Sequence, residues 1–426
     1  MTATVTVTVP ATSAGSRSSV VLASLMLGTF TTGSAELLPV GLLPMIAADL
    51  GVSVAAAGTL VGAFALGLAV GGPLLTALTI RVDRRRVLVG SLVLFAVLVV
   101  SPAVVPHFGW YVVARMGAGA LQGVFLAAAF TTATAVVPPA RSGRAVSVVI
   151  AGFAFSTLVG LPLGVVLGSA LGWRAALLAV GGSALLTALV VQVVGPPLPG
   201  SGRMRMAQLR EALSSRVLAM LGLTLVIFAA PAAVMTYLVP VLERVIGLSS
   251  ASATAVLVGY GAACVVGSFL GGRWADSGAA RALVVATIGL TASFVLLYTA
   301  RSQPLIAIVA IVSWAVLSSS APPSVQHRTV SLAGAGGALA ASLPASAASA
   351  GIAVGSTASG IAYAASGPAA VIVTGALIAF VAVALAVATR RLRPPADKNH
   401  DQTCDRTCLA DSASPAAPRT DHVLAC

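Results

Sequence analysis

The sequence predicts an all-α polytopic membrane protein, with twelve transmembrane helices in two six-helix halves. Three observations carry that expectation. First, 58% of the 426 residues are hydrophobic and only 8% are charged, where a soluble domain has about 25% charged residues. So little charge cannot cover a soluble surface of this size, and a bilayer is the solvent that suits it. Second, the charges are segregated. Between Asp49 and Arg328 they leave nine charge-free windows: 50–80, 87–114, 116–140, 145–173, 175–202, 217–242, 245–272, 282–300 and 302–327. Each is long enough for one membrane helix of about 20 residues. Third, the longest polar interruption, 195–216, falls where six spans precede it and six follow.

In order, a first span over 20–43 is interrupted only by Glu36. The next five are 56–78, 87–105, 111–137, 145–171 and 175–194. After the interruption come 217–238, 253–270, 282–300 and 305–325. The charge-free stretch 329–389 is long enough for two spans, 339–365 and 369–388, broken near Ser366-Gly367-Pro368. Residues 1–19 read as a disordered arm, 195–216 as a linker and 390–426 as a disordered tail. No ten-residue alternating segments of a strand barrel are present. The halves resemble each other weakly. Gly51-Val-Ser53 matches Gly247-Leu-Ser249, and at the same offset Phe64 falls on Tyr260 and Gly71 on Gly267. Paired six-helix halves are how one large class of transporters is built, with the site at their interface near the midplane.

An even number of spans puts both termini on one side. The loops on that side hold 17 arginines, among them Arg84 and Arg85, and the opposite loops hold Arg174, Arg244 and Arg301. Positive charge collects in the cytoplasm, so both termini are expected there, in a multi-pass protein of the cell membrane. The net charge of +13 then reflects topology and anionic lipid, and its scatter over short loops argues against nucleic acid. The four cysteines form no disulfide framework: Cys264 lies in a span, and Cys404, Cys408 and Cys426 lie in a tail placed in a reducing compartment. His400, Cys404 and Cys408 could share a helix face, but zinc spacings are missing, so no metal and no cofactor are expected.

Glu36 is the one acidic residue inside a span. An ionised carboxylate there is costly, so it should face a cavity or a partner, or keep its proton. A carboxyl group that gains and loses a proton as access alternates is what proton coupling needs. The alternative is a permanently protonated structural acid. Arg115, early in the fourth span, is the natural counterpart of Glu36; because arginine cannot discharge itself, it must find a carboxylate, a backbone carbonyl or water. Its alternative is snorkelling to the headgroups. In the fifth span Gly152, Gly160, Gly164 and Gly168 leave a face without side chains for a partner helix, and Pro162 permits a bend. Gln122, Tyr237, Tyr260 and Trp314 are more often ordinary packing or interface residues, but they would suit a bulky amphiphile as an aromatic wall with hydrogen-bonding groups.

The fifth-span pattern, closed by Gly172-Trp-Arg174, resembles the antiporter motif of the major facilitator superfamily. Arg115-Met-Gly-Ala-Gly119 resembles the superfamily's helix 4 motif. Gly33-Ser-Ala-Glu36 through Asp49-Leu-Gly51 resembles the helix 1 signature of the drug:proton antiporter branch, and within it the bacterial chloramphenicol-resistance and sugar-efflux-like exporters. The loop around Asp83-Arg84-Arg85-Arg86 keeps the basic cluster of the family's gating loop, and Gly272-Arg273-Trp-Ala-Asp276 lies closer to its full pattern. Asp276 could cap a helix, pair with an arginine as a gate, or stand solvated. The resemblance implies the major facilitator fold and a secondary transporter, not an enzyme. It implies export of a small amphiphilic compound, chloramphenicol-like drugs among them, in exchange for protons by alternating access. Glu36 and Arg115 would carry coupling, and Glu36 with the polar and aromatic residues above would bind substrate. Its partners would be the small-molecule substrate, protons and the lipid bilayer, and it would act as a monomer. The competing expectations are a transporter of the same fold for sugars, amino acids or nucleosides, in either direction, and a polytopic membrane enzyme or receptor. No nucleotide-binding loop is present to support ATP-driven transport.

Overall fold

The computed structural model describes residues 11–138, 141–199, 214–333 and 343–392. Its elements are all helices. The first half consists of α1 (Ala11–Asp49), α2 (Val54–Leu78), α3 (Arg84–Val104), α4 (Phe108–Ala135), α5 (Arg144–Leu171) and α6 (Trp173–Val194). The second consists of α7 (Ser215–Thr236), the short α8 (Leu238–Arg244), α9 (Ser250–Thr299), α10 (Pro304–Ala333), α11 (Leu343–Ser366) and α12 (Pro368–Thr389). Among the described residues, ten helices are long and apolar enough to cross a membrane. One of them, α9, has 50 residues, about 75 Å at 1.5 Å per residue, twice what one crossing needs. It turns at Gly278, whose φ of 153° is outside helical space. α11 is long enough at 24 residues, but its Gly, Ser and Ala content makes it less apolar. With α9 as two crossings and α11 as one, the architecture accommodates the expected twelve.

Two expected boundaries move. The arm was expected to run to residue 19, yet α1 starts at Ala11. No proline follows Pro10 before Pro39, and the Ser18 hydroxyl donates to the Val136 carbonyl at 2.8 Å, tying α1 to the end of α4. Arg216, expected in the linker, belongs to the first turn of α7. The rest of the basic linker, and His400, Cys404, Cys408 and Cys426, lie outside the described residues.

The internal repeat has a physical basis. Gly51 closes α1 with φ 64° and Gly247 follows α8 with φ 80°, a conformation that strongly favours glycine. Two residues later Ser53 and Ser249 each cap the next helix, accepting from the Ala56 and Ser252 amides. Asp83 does the same for α3, accepting from the Arg86 amide at 3.1 Å.

Small residues set the helix spacing. A Cβ on Gly152 would strike the α1 backbone at Met26 and Phe30, one on Gly160 the Ser34 side chain, one on Gly164 that of Leu38, and one on Gly168 that of Leu42. The bare face of α5 is therefore filled by every fourth residue of α1. Gly67 and Gly119 likewise bring α2 and α4 into backbone contact. Both α2 and α5 contain a five-residue π turn, Gly67–Gly71 and Ser156–Gly160. Each ends two residues before a proline, Pro73 or Pro162. A proline has no N–H to keep the i→i−4 register, which favours the wider turn there.

The halves share one core at the end away from the chain termini. There Val40, Leu43 and Ala47 of α1 and Ala57 of α2 pack in one cluster with Leu238, Leu242, Ala253 and Leu257. At the terminal end the clusters are separate. Leu25, Leu88, Phe125 and Val149 belong to the first half alone, and Met220, Leu283, Val325 and Ala386 to the second alone. The molecule is thus sealed at one end and divided at the other. The packing generates a stability order. Gly152→Ala should destabilise the protein by about 1–3 kcal/mol, because its neighbour is backbone. Gly164→Ala should cost less, since the tip of Leu38 can turn aside. Thermal unfolding of the purified protein in detergent would show the ranking, and equal melting temperatures would refute it.

Candidate functional site

A cavity of about 220 Å³ lies between the halves, walled by Glu36, Leu37 and Val40 of α1, Val61 of α2 and residues of α7, α9, α10 and α11. Glu36 contributes the only carboxyl group on this wall. Apolar side chains such as Phe228, Met235 and Ile352 supply most of the rest, with Tyr260, Ser318, Ser319 and Thr236 as the polar exceptions. Such a site accepts a mostly apolar solute and fixes it by a few polar contacts.

Glu36 is half-buried at the cavity edge. Its Oε2 accepts from the Gln122 Nε2 at 2.8 Å. Gln122 is fully buried, and its own Oε1 has no partner. An amide can serve a carboxyl group in either protonation state: its N–H₂ donates to a carboxylate, and its carbonyl accepts from a carboxylic acid.

Of the partners open to Arg115, a carboxylate, a backbone carbonyl or water, the structure shows backbone carbonyls. Its guanidinium holds three backbone carbonyls: Nη1 donates to Ala35 O at 2.7 Å, Nη2 to Glu36 O at 2.9 Å and Nε to Leu60 O at 3.2 Å. It also stacks on Phe64, 4.2 Å from the ring centroid. The cause lies in the sequence. Pro39 brings no N–H to the carbonyl four residues back, which is that of Ala35, so α1 offers a bare acceptor. Arg115 is 4% exposed, which also removes the snorkelling alternative. Among the described residues the one ion pair is Arg174 with Asp49, at 2.8 Å, at the sealed end. The Glu36 carboxyl group is left to Gln122 and the cavity.

The aromatic candidates separate. Tyr260 lines the cavity. Trp314 does not; it is fully buried behind Tyr260, edge to face at 5.0 Å, and packs on Phe294 at 5.3 Å. Its size and apolar neighbours make it a support for Tyr260. Tyr237 also lies off the wall. It stacks on Tyr363 at 5.0 Å and donates to the Ala55 carbonyl at 3.2 Å, bridging the halves at the sealed end. In the basic loops, the Arg84 amide donates to the Leu198 carbonyl at 2.9 Å, while the Arg84 side chain is buried and that of Arg85 half-buried. Gly272, Arg273 and Asp276 fall within α9, just before its turn. Asp276 is exposed and makes no ion pair among the described residues, so the arginine pairing expected of a gate is not formed in this conformation.

Sequence reading missed Phe228, Pro231, Ser318, Ser319 and Pro322 as cavity residues. The tandem Pro322-Pro323 inside an apolar span was the available signal.

Comparison with known proteins agrees with this architecture. The chain is 30% identical over 381 residues to the inner membrane transport protein YdhP of Escherichia coli K12, covering 88% of this chain and 96% of that protein. It is 37% identical to a chloramphenicol resistance protein of Streptomyces lividans over 60% of this chain and 66% of that one. A chloramphenicol efflux pump of Mycobacterium tuberculosis is 32% identical over 72% of this chain and 77% of its own length. In fold the chain is similar to a bacterial homologue of the lysosomal transporter Spinster, with TM-score 0.70 and 18% identity over 94% of this chain and 99% of that one. It is also similar to the xylose transporter XylE of Escherichia coli, with TM-score 0.69 and 17% identity over 87% and 97%. The profile described as Major Facilitator Superfamily matches residues 25–343. This chain belongs to the major facilitator superfamily and is a multi-pass membrane transporter, not an enzyme.

Proposed function

We propose that this transporter exports small amphiphilic compounds, chloramphenicol-like drugs among them, in exchange for protons across the cell membrane. The observation that carries the reading is Glu36: the only acidic residue within a span, placed on the wall of the inter-half cavity and bonded by an amide. A solute in that cavity and a proton on that carboxyl group compete for one place. When the cavity faces the proton-rich side, the carboxyl group takes a proton and solute leaves. When it faces the other side, the proton leaves and solute binds. Gln122 follows the change by turning its amide. The chloramphenicol-resistance relatives support the substrate class. With both termini cytoplasmic, as arginine placement argues, the divided end is cytoplasmic and this conformation faces inward. The cavity is lined by both halves of one chain, which supports a monomer as the transporting unit.

Two measurements test the reading. In a sensitive host, chloramphenicol efflux should collapse with a protonophore and persist through ATP depletion when the proton gradient is clamped. Glu36→Gln should abolish uphill efflux, by more than tenfold, and substrate-induced proton release from purified protein. Proton release like the parent's would make Glu36 a structural acid.

Arg115 answers a separate question. Arg115→Gln leaves the Ala35 carbonyl without a cation and should cost about 1–3 kcal/mol of stability. If Arg115 served Glu36 as a counter-ion, adding Glu36→Gln would restore that loss. We expect no restoration in melting temperature, because the partners are carbonyls.

A further inference from the structure

Two helices of the second half carry prolines at the cavity. Pro231 of α7 and Pro322 of α10 both line it, and Pro323 follows directly. A proline in a helix leaves the carbonyl four residues earlier without its donor. Those residues are Ile227, Ser318 and Ser319, and all three line the same cavity. Residues four apart lie on one helix face, so the gaps at Ile227 and Ser318 face the cavity with Pro231 and Pro322, and Ser319 lines it as well. The first half has a gap of the same kind at Ala35, opened by Pro39 and filled by Arg115 at 2.7 Å. The arginines bonded in the second half reach elsewhere: Arg244 to Tyr363, Arg301 to Tyr298 and Arg328 to Thr389. The Ser318 and Ser320 hydroxyls turn back onto their own helix, donating to the Ala315 and Leu317 carbonyls.

We infer that the carbonyls of Ile227, Ser318 and Ser319 form a binding subsite for hydrogen-bond donors of the solute. The cavity therefore selects solutes with hydroxyl, amino or amide N–H groups over equally apolar ones that lack them. This rests on the export reading and deepens it. While the cavity is open, water serves these carbonyls. When a solute fills it, the surrounding Phe228, Met235 and Ile352 exclude water, and a solute without donors strands them. Leaving a buried acceptor unpaired is costly, so discrimination comes from the stranded groups as much as from the bonds made.

The test uses purified full-length protein in detergent and three probes: chloramphenicol and ethidium, which carry O–H or N–H donors, and tetraphenylphosphonium, which carries none. P322A/P323A gives α10 back two N–H groups and closes two of the three acceptors. We expect affinity for chloramphenicol and ethidium to fall roughly tenfold, with tetraphenylphosphonium binding unchanged or tighter. P231A, on another helix, should repeat the P322A/P323A pattern in smaller measure and serves if the double variant does not fold. Equal weakening of all three probes, or none, overturns the subsite while leaving export intact. A parent protein that binds none of the three overturns the export reading as well.

Discussion

A guanidinium bonded to three backbone carbonyls organises the first half. Arg115 joins α1, α2 and α4 through Ala35, Glu36 and Leu60, and rests on Phe64. A cation in the hydrocarbon region must find acceptors, and Pro39 creates one by failing to donate to Ala35. The planar fork suits this task, and a lysine could not span the same acceptors. Because the cation is satisfied by backbone, the Glu36 carboxyl group is not locked into an ion pair. It can change protonation without dismantling the joint that positions it.

Around that joint the helices are spaced by what their residues lack. The glycines of α5 have no Cβ, so α1 seats Ser34, Leu38 and Leu42 against them. The prolines lack an N–H, so carbonyls open at Ala35 in one half and at the cavity wall in the other. In lipid the hydrophobic effect gives no drive for helices to associate, and close packing with satisfied polar groups takes its place. Missing atoms thus set both the rigid contacts and the reactive ones.

Much of this was legible in the chain. Charge-free windows located the spans, and the repeated Gly-x-Ser pattern located equivalent turns at Gly51 and Gly247. The bare face of α5 was visible, although its partner α1 was not. Which of the open alternatives holds was not legible. A carboxylate and a backbone carbonyl were both open to Arg115, and the carbonyl that takes it is freed by Pro39, a backbone effect. Trp314 could pack or line the cavity, and it packs, with Tyr260 in front of it. Residue type reveals what a side chain can do. Which of two neighbours on adjacent helices meets the cavity depends on helix rotation, and in spans apolar on every face the hydrophobic pattern does not fix that rotation.

The sealed end has a thermodynamic consequence. Its shared cluster is built from Val40, Leu43, Ala47, Leu238 and Leu242, with Tyr237 to Ala55 as a hydrogen bond between halves. Parting that seal toward water exposes apolar surface and breaks no ion pair between the halves. The free energy of opening then carries a heat capacity increment, since hydration of apolar surface raises heat capacity. Cooling weakens such a closure, while ionic strength, which screens charge, barely touches it. This seal therefore responds to temperature more than to salt.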